Sequence, residues 1–249
     1  MSNITRIFTS KALTLNQELE LDAAASSHLL RVLRLNIGNQ VILFNGSGGE
    51  YLSTITASSK KIACVTPLEH IPNSTKSVLD ITLCQSVAKG DRVDFAVQKS
   101  TELGVNAIQL LHTERCQFGL KGGRADKKIS HWQKIAISAS EQSCRDTIPT
   151  LNHPLRLEDF LAQIESGALC IIMDTSSKTP HELPDALDEN QKIYILVGPE
   201  GGFTKTEIDL AIAKGAIGVN LGSRILRTET AGLALISILQ HKYGDFVAV

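Results

Sequence analysis

Apolar positions along the chain change their spacing once, near residue 72, and that change divides the sequence. Before it, apolar residues fall in short runs between polar breaks. QVILFN (40–45) and EYLSTI (50–55) flank the turn-forming Gly46-Ser47-Gly48-Gly49, and KIACV (61–65) follows another break. Runs of this kind predict short strands curled into a small barrel or sandwich. One segment departs from them: in SSHLLRVLRL (26–35), Ser26, Leu29, Leu30 and Leu33 share one helical face while His28, Arg31 and Arg34 lie toward the other. It predicts a helix that caps the strands.

Beyond the turn-prone stretch from Pro72 to Ser77 the rhythm becomes strand, helix, strand. Apolar runs predict strands at 79–87, 107–112, 169–174, 193–198 and 218–222. Helical spacing links Val93, Ala96, Val97, Ser100 and Leu103, then Trp132, Ile135, Ala136, Ala139 and Ser143. This alternation predicts an α/β domain with a mostly parallel sheet covered on both faces. The expected division is therefore 1–72 for a small β domain and 73–249 for the larger one. Two late helices have readable ends. Thr204 and Glu207 form a T-x-x-E capping box and Gly215 supplies a stop, which predicts a helix over 205–214. Thr228 is the expected cap of a helix reaching Tyr243 before Gly244. Its stretch AGLALISIL is apolar around most of the circumference, so it must be buried inside the domain or against a second subunit.

With 249 residues the chain can bury a core without disulfides. Its five cysteines form no C-x-x-C pair, so neither a disulfide framework nor a metal site is expected. MSNITRIFTSKAL at the start lacks the apolar run of a signal peptide and nothing approaches the roughly 20 apolar residues of a membrane span, so a cytoplasmic protein that spans no membrane is expected. Charge is balanced, 25 Lys and Arg against 26 Asp and Glu, which excludes a global basic field. Locally the balance tips: Arg115, Lys121, Arg124, Lys127, Lys128 and Lys134 face one acid, Asp126. That run is either an RNA-facing patch or a solvated loop.

The candidate chemistry lies in two turns near the C-terminus, GPEGGFT (198–204) and LGSRILRTETA (221–231). Each follows an apolar run and opens a helix, which places backbone N–H groups and small side chains at one sheet edge. Neither turn matches the dinucleotide fingerprint or the phosphate loop with its lysine, which argues against a nucleotide hydrolase. Glu200, among glycines at a strand end, can pair with a cation, accept a ligand donor or act as a base. Arg224, Arg227 and Glu229 either satisfy one another or meet a polyanionic substrate.

Together these turns resemble the SPOUT superfamily of S-adenosylmethionine-dependent RNA methyltransferases, and within it the RsmE-type branch that methylates N3 of a uridine in 16S ribosomal RNA. HLLRVLR (28–34), QKSTELGV (98–105), TERC (113–116) and ASEQSCR (139–145) carry the same resemblance, which spans nearly the whole chain. It implies a C-terminal trefoil knot, an N-terminal PUA-like β-barrel for RNA, and a homodimer. It also implies that S-adenosyl-L-methionine lies on three loops: Met173 and Asp174; Leu196, Val197, Gly198, Pro199, Glu200 and Gly201; and Leu221, Gly222, Leu226, Arg227, Thr228, Thr230 and Ala231.

Uridine N3 carries a proton at neutral pH, so the enzyme must align an in-line attack and manage that proton. The expected catalytic group is Glu200 or Glu229 as proton acceptor and Arg224 or Arg227 against the developing anion. Arg31, Arg34, Lys89, Lys99, Arg115 and Arg145 are the expected RNA contacts, with Gln85, Glu102 and Gln142 as further rim residues. Lys99 and Glu102, three apart, are equally readable as a structural pair. Two other functions compete: ribose 2′-O-methylation, and a noncatalytic factor for ribosome assembly.

Overall fold

A computed structural model describes residues 4–59, 61–72, 75–116, 123–174 and 182–246. Asn73 and Ser74 of the expected boundary, and Lys121 of the basic run, lie outside the described residues. The chain forms two compact units, Met1–Lys76 with Ser140–Ile148, and Ser77–Ala139 with Pro149–Val249. The first thus includes a stretch that a single cut at residue 72 leaves in the second.

The first unit is a five-stranded sheet in the order β1-β3-β4-β5-β2, with β1 (Arg6–Phe8), β2 (Leu19–Glu20), β3 (Gln40–Phe44), β4 (Glu50–Ser58) and β5 (Ala63–Ile71). β1 joins β3 in parallel and the other pairings are antiparallel. Strand alternation turns Val41, Leu43, Ile55 and Val65 into one core with Ile7 and Leu29. β5 runs past the expected end at 65 because Pro67 sits at a register shift opposite Ser53, where a missing N–H is tolerated. The expected helix over 26–35 is a correction. Asp22 caps α1 (Ala23–Ser27) by accepting from the N–H groups of Ala24 (3.0 Å) and Ala25 (2.9 Å), and a π turn, His28–Val32, follows. Arg34 then takes φ +54°, so the helical face cannot extend to Leu35. Residues 140–148 are held by Arg6. Its buried guanidinium pairs with Glu50, lies 4.7 Å from the Phe44 ring centre, and donates to the carbonyls of Ser140 (3.1 Å) and Arg145 (3.2 Å).

In the second unit β6 (Asp80–Ser86), β7 (Ala107–His112), β8 (Thr150–Arg156), β9 (Leu169–Met173), β10 (Lys192–Val197) and β11 (Ile217–Val219) form one sheet. Every pairing is parallel and the order is β11-β9-β10-β6-β7-β8. β10 therefore enters between β6 and the earlier β9, and β11 goes outside β9. The last helix, α6 (Thr228–Tyr243), then returns to pack on β10 and β6. This order brings the last helix back against the middle of the sheet. The sequence missed β8, whose Asn152, His153 and Pro154 break the apolar pattern. As an edge strand with a register shift it accommodates the proline.

Side chains of alternate residues cover the two faces. Cys84, Ile172 and Leu196 pack with Leu157, Phe160 and Leu161 of α4 (Leu157–Leu161) and with Ala211 of α5 (Lys205–Ala213). Burial there pushes the Cys170 thiol up to about 12. On the other face α6 lies beside α2 (Arg92–Glu102). Asp94 of α2 accepts from the Trp132 ring N–H (2.8 Å) of α3 (Gly123–Gln142) and is 2.8 Å from His131. Burial opposes its charge, but these two bonds outweigh it and its carboxyl lies below the ordinary range. Gln240 of α6 donates to Leu103 O (2.9 Å) and accepts from Ser77 (3.0 Å). Among the described residues no helix is long and apolar enough to cross a membrane.

α6 approaches the sheet at Gly232, where a Cβ would come within 2.9 Å of Leu83 Cδ1 and 3.1 Å of Val197 Cγ2. Gly232→Val is expected to destabilise the protein by about 1–3 kcal/mol by overpacking this contact, as read from urea denaturation midpoints.

Candidate active site

β6 continues through α2 to β7 on one side of the sheet, whereas β10 continues through α5 to β11 on the other. The carboxyl ends of these adjacent strands therefore open a crevice at a topological switch point. The turn after β10 is compact. A Cβ on Gly198 would meet Phe203 N at 2.9 Å and Gly202 C at 3.0 Å, both backbone atoms that cannot move aside. Glu207 completes the expected capping box at Thr204 and also accepts from Glu114 N–H (2.8 Å). Arg115 donates to the carbonyls of Gly201 (2.6 Å) and Phe203 (3.3 Å). The TERC segment thus buttresses the glycine turn, and the guanidinium expected to contact RNA is bound to that turn.

The second turn is fastened to the first by a buried hydroxyl. Thr228 donates to Gly198 O (2.6 Å) and accepts from Gln85 Nε2 (2.9 Å). The expected cap is corrected here: Arg227 is the N-cap and Thr228 is the first helical residue, with its hydroxyl turned into the site. Gln85, expected at the rim, is 1% exposed at the end of β6.

Between the turns lies a cleft of about 480 Å³. Met173, Val197, Gly198, Pro199, Glu200, Gly201, Leu226, Arg227, Thr228 and Ala231 line it, together with Glu229. A small annex, lined by Leu221, Arg224 and Asp174, adjoins at Met173, Leu226 and Ala231. Arg224 is thereby set apart from Glu200 and Glu229, which it was expected to join. Other expected positions fall outside the cleft. The Leu196 side chain is fully buried in the sheet core. Gly222 and Thr230 do not line the cleft, and Thr230 borders a second depression beside it.

No sequence motif marks Arg92, the first residue of α2. It pairs with Glu200 and brings Nε to 3.7 Å from Glu229 Oε2. Burial opposes ionisation of Glu200, but the N–H groups of Glu200 and Lys89 (3.0 Å) and the Arg92 guanidinium outweigh it and hold its carboxyl below the usual range. Glu229 is different. Its Oε2 is buried and accepts no hydrogen bond among the described residues, and Arg227 Nη1 stands 4.0 Å from Oε1. A carboxylate at the cleft wall between two guanidiniums can take a proton or read a donor.

The remaining expected RNA contacts are dispersed. Arg31 and Arg34 are exposed in the first unit. Lys89 is exposed in the turn after β6, and Lys99 binds Glu102 at 2.7 Å, the structural alternative. Arg145, in the first unit, is corrected: at 4% exposure its guanidinium faces Thr147 and cannot reach an external phosphate. Of the basic run, Arg124, Lys127, Lys128 and Lys134 lie on the exposed face of α3.

Residues 75–240 match the model of an RNA methyltransferase domain, and residues 21–68 match an RNA methyltransferase PUA domain. The ribosomal RNA small subunit methyltransferase E of Buchnera aphidicola subsp. Schizaphis graminum is 34% identical over 243 residues, covering 97% of this chain and 98% of that one. Its counterpart from Rickettsia conorii is 33% identical and covers 93% of each chain. A crystal structure of ribosomal RNA small subunit methyltransferase E from Neisseria gonorrhoeae bound to S-adenosyl methionine superposes with a TM-score of 0.91 at 38% identity, over 98% of this chain and 100% of that one. The chain belongs to the family of ribosomal RNA small subunit methyltransferase E.

Proposed function

We propose that this chain uses S-adenosylmethionine to methylate N3 of a uridine in 16S ribosomal RNA. One observation carries the reading: the glycine-walled cleft ends at a carboxylate flanked by two guanidiniums. The cleft fits the cofactor. Its volume of about 480 Å³ lies within the range of small-molecule sites, Met173, Val197, Leu226 and Ala231 supply apolar walls, and Gly198 allows close approach to the backbone. When bound, S-adenosylmethionine supplies a methyl group whose bond to the sulfonium sulfur breaks with its electron pair left on sulfur.

The protein's own residues handle the nucleobase. The Glu229 carboxylate accepts the N3 proton; the N–H electron pair stays on nitrogen, and the negative charge spreads to the flanking carbonyl oxygens. Arg92 and Arg227 stabilise that charge. Glu200 is held in its charged form by backbone N–H groups and by Arg92, which occupies it. It serves to position Arg92. Thr228 and Gln85 hold the two turns in register.

A homodimer completes the reading. Besides its buried side, α6 carries Leu233, Ala234 and Ile238 on a partly exposed stripe, which a second copy would cover. Arg31 and Arg34 are exposed and can meet phosphates. A ribosomal RNA substrate is in keeping with a cytoplasmic protein.

Three outcomes are expected. In a single-turnover assay at saturating cofactor and RNA, Glu229→Gln lowers the rate by about 10²-fold or more, on the order of a general base's contribution, whereas Glu200→Gln loses far less; equal losses would contradict the assignment. In carboxylate NMR titrations, Glu200 of the parent protein stays ionised below the ordinary carboxylate range, and Arg92→Met raises its pKa. Because the folded value is depressed, the stabilisation from this pair is present above the unfolded pKa and fades as pH falls through the folded one. Finally, nucleoside mass spectrometry of small-subunit ribosomal RNA from cells lacking the protein shows loss of N3-methyluridine; loss of a ribose methyl instead would favour the 2′-O activity.

A further inference from the structure

Beside the methyl-donor cleft lies a second depression of about 450 Å³, lined by Asp91, Arg92, Phe95, Arg227, Glu229 and Thr230. The two share Arg92, Arg227 and Glu229, so these three residues form the boundary across which a group in one would meet a group in the other. We infer that the outer depression is the subsite for the target nucleobase, with Phe95 as its stacking platform and the boundary residues as its selector for uracil. This rests on the methyl-transfer reading above and extends it to residues that neither the sequence motifs nor that reading assign.

Three observations support it. Phe95 is 46% exposed, although it is one turn from Arg92 on a helix whose Val93, Ala96 and Val97 are buried. An exposed aromatic ring at the edge of a charged depression offers a flat apolar surface on which a base can stack. Secondly, the lining charges cancel. Arg92 and Arg227 stand against Asp91 and Glu229, so a phosphate gains no net attraction whereas a neutral polar ring is matched. Thirdly, the boundary has an order. Arg92 Nε is 3.7 Å from Glu229 Oε2, and Arg227 Nη1 is 4.0 Å from Glu229 Oε1, giving donor, acceptor, donor. The imide edge of uracil presents O2, N3–H and O4: acceptor, donor, acceptor. Cytosine has an unprotonated N3 and an amino group at C4, so it would set a lone pair against the carboxylate and N–H groups against a guanidinium.

The edge that is read is also the edge that reacts. The N3–H bond breaks, the proton bonds to the Glu229 carboxylate, and the electron pair remains on N3 between the two guanidiniums. Any bond from N3 to carbon forms along the line of the lost N–H, so the protonated carboxyl withdraws before transfer.

The test compares Phe95→Ala and Phe95→Tyr with the parent protein on 16S ribosomal RNA, and measures S-adenosylmethionine binding separately by calorimetry. Phe95→Ala is expected to raise KM for RNA about tenfold or more, Phe95→Tyr to restore it, and neither to change the cofactor Kd. Phe95→Trp provides a readout independent of turnover: the introduced indole is exposed, while the native Trp132 is 2% exposed, so RNA should quench the new fluorescence. Once the methylated uridine is mapped, replacing it with cytidine should abolish this quenching at RNA concentrations that saturate the uridine form. An unchanged KM in Phe95→Ala, an equal loss of cofactor affinity, or equal quenching by both RNAs would overturn the subsite. Parent protein that binds cofactor but methylates no ribosomal RNA would instead overturn the functional reading, so the two failures are distinguishable.

Discussion

Everything at the candidate site depends on one buried hydroxyl. Thr228 Oγ1 donates to Gly198 O and accepts from Gln85 Nε2, tying the turn after β10, the start of α6 and the end of β6 together. An unpaired buried polar group costs about 1–3 kcal/mol, so each member constrains the others. The turn can take part only because Gly198 has no Cβ to strike residues 202 and 203. Gly232 lets α6 lie close enough to the sheet for its first residue to reach the turn.

That fastening sets where charge can stand. Arg92 comes from the helix after β6, Glu200 from the turn after β10 and Glu229 from α6. The parallel sheet brings these three connections to one edge because β10 is inserted beside β6. Glu200 and Glu229 are both carboxylates at the cleft, yet their surroundings separate them. One is held ionised by backbone N–H groups and a guanidinium, whereas the other keeps a buried oxygen without a hydrogen bond. Burial with different partners is enough to give two like groups different tasks.

Elements whose signal is local were legible. The capping box at Thr204 and Glu207, the apolar runs of β7 and β10, and the glycine turns all state their conformation within a few residues. Elements that violate local preference were not. Pro154 in β8 and Pro67 in β5 argue against strands unless the edge position and the register shifts are known. The π turn after α1 and the positive φ of Arg34 likewise interrupt a face that the apolar spacing alone would continue. Among charged residues, Arg115 and Arg145 illustrate the limit: a basic residue in a motif reads as a phosphate contact, yet one guanidinium is bonded to turn carbonyls and the other is buried.

By itself the sequence determined the division into a β-rich beginning and an α/β remainder, the two glycine turns, and their likeness to the SPOUT methyltransferases. These follow from periodicity, caps and motif spacing, all carried by neighbours in the chain. Only the tertiary structure decided that Arg92 faces Glu200 and Glu229, that Arg224 stands apart in an annex, and that Phe95 borders a second depression. Arg92 and Glu229 are 137 positions apart in sequence, and their meeting is settled by strand order and close backbone approach, which no local pattern encodes.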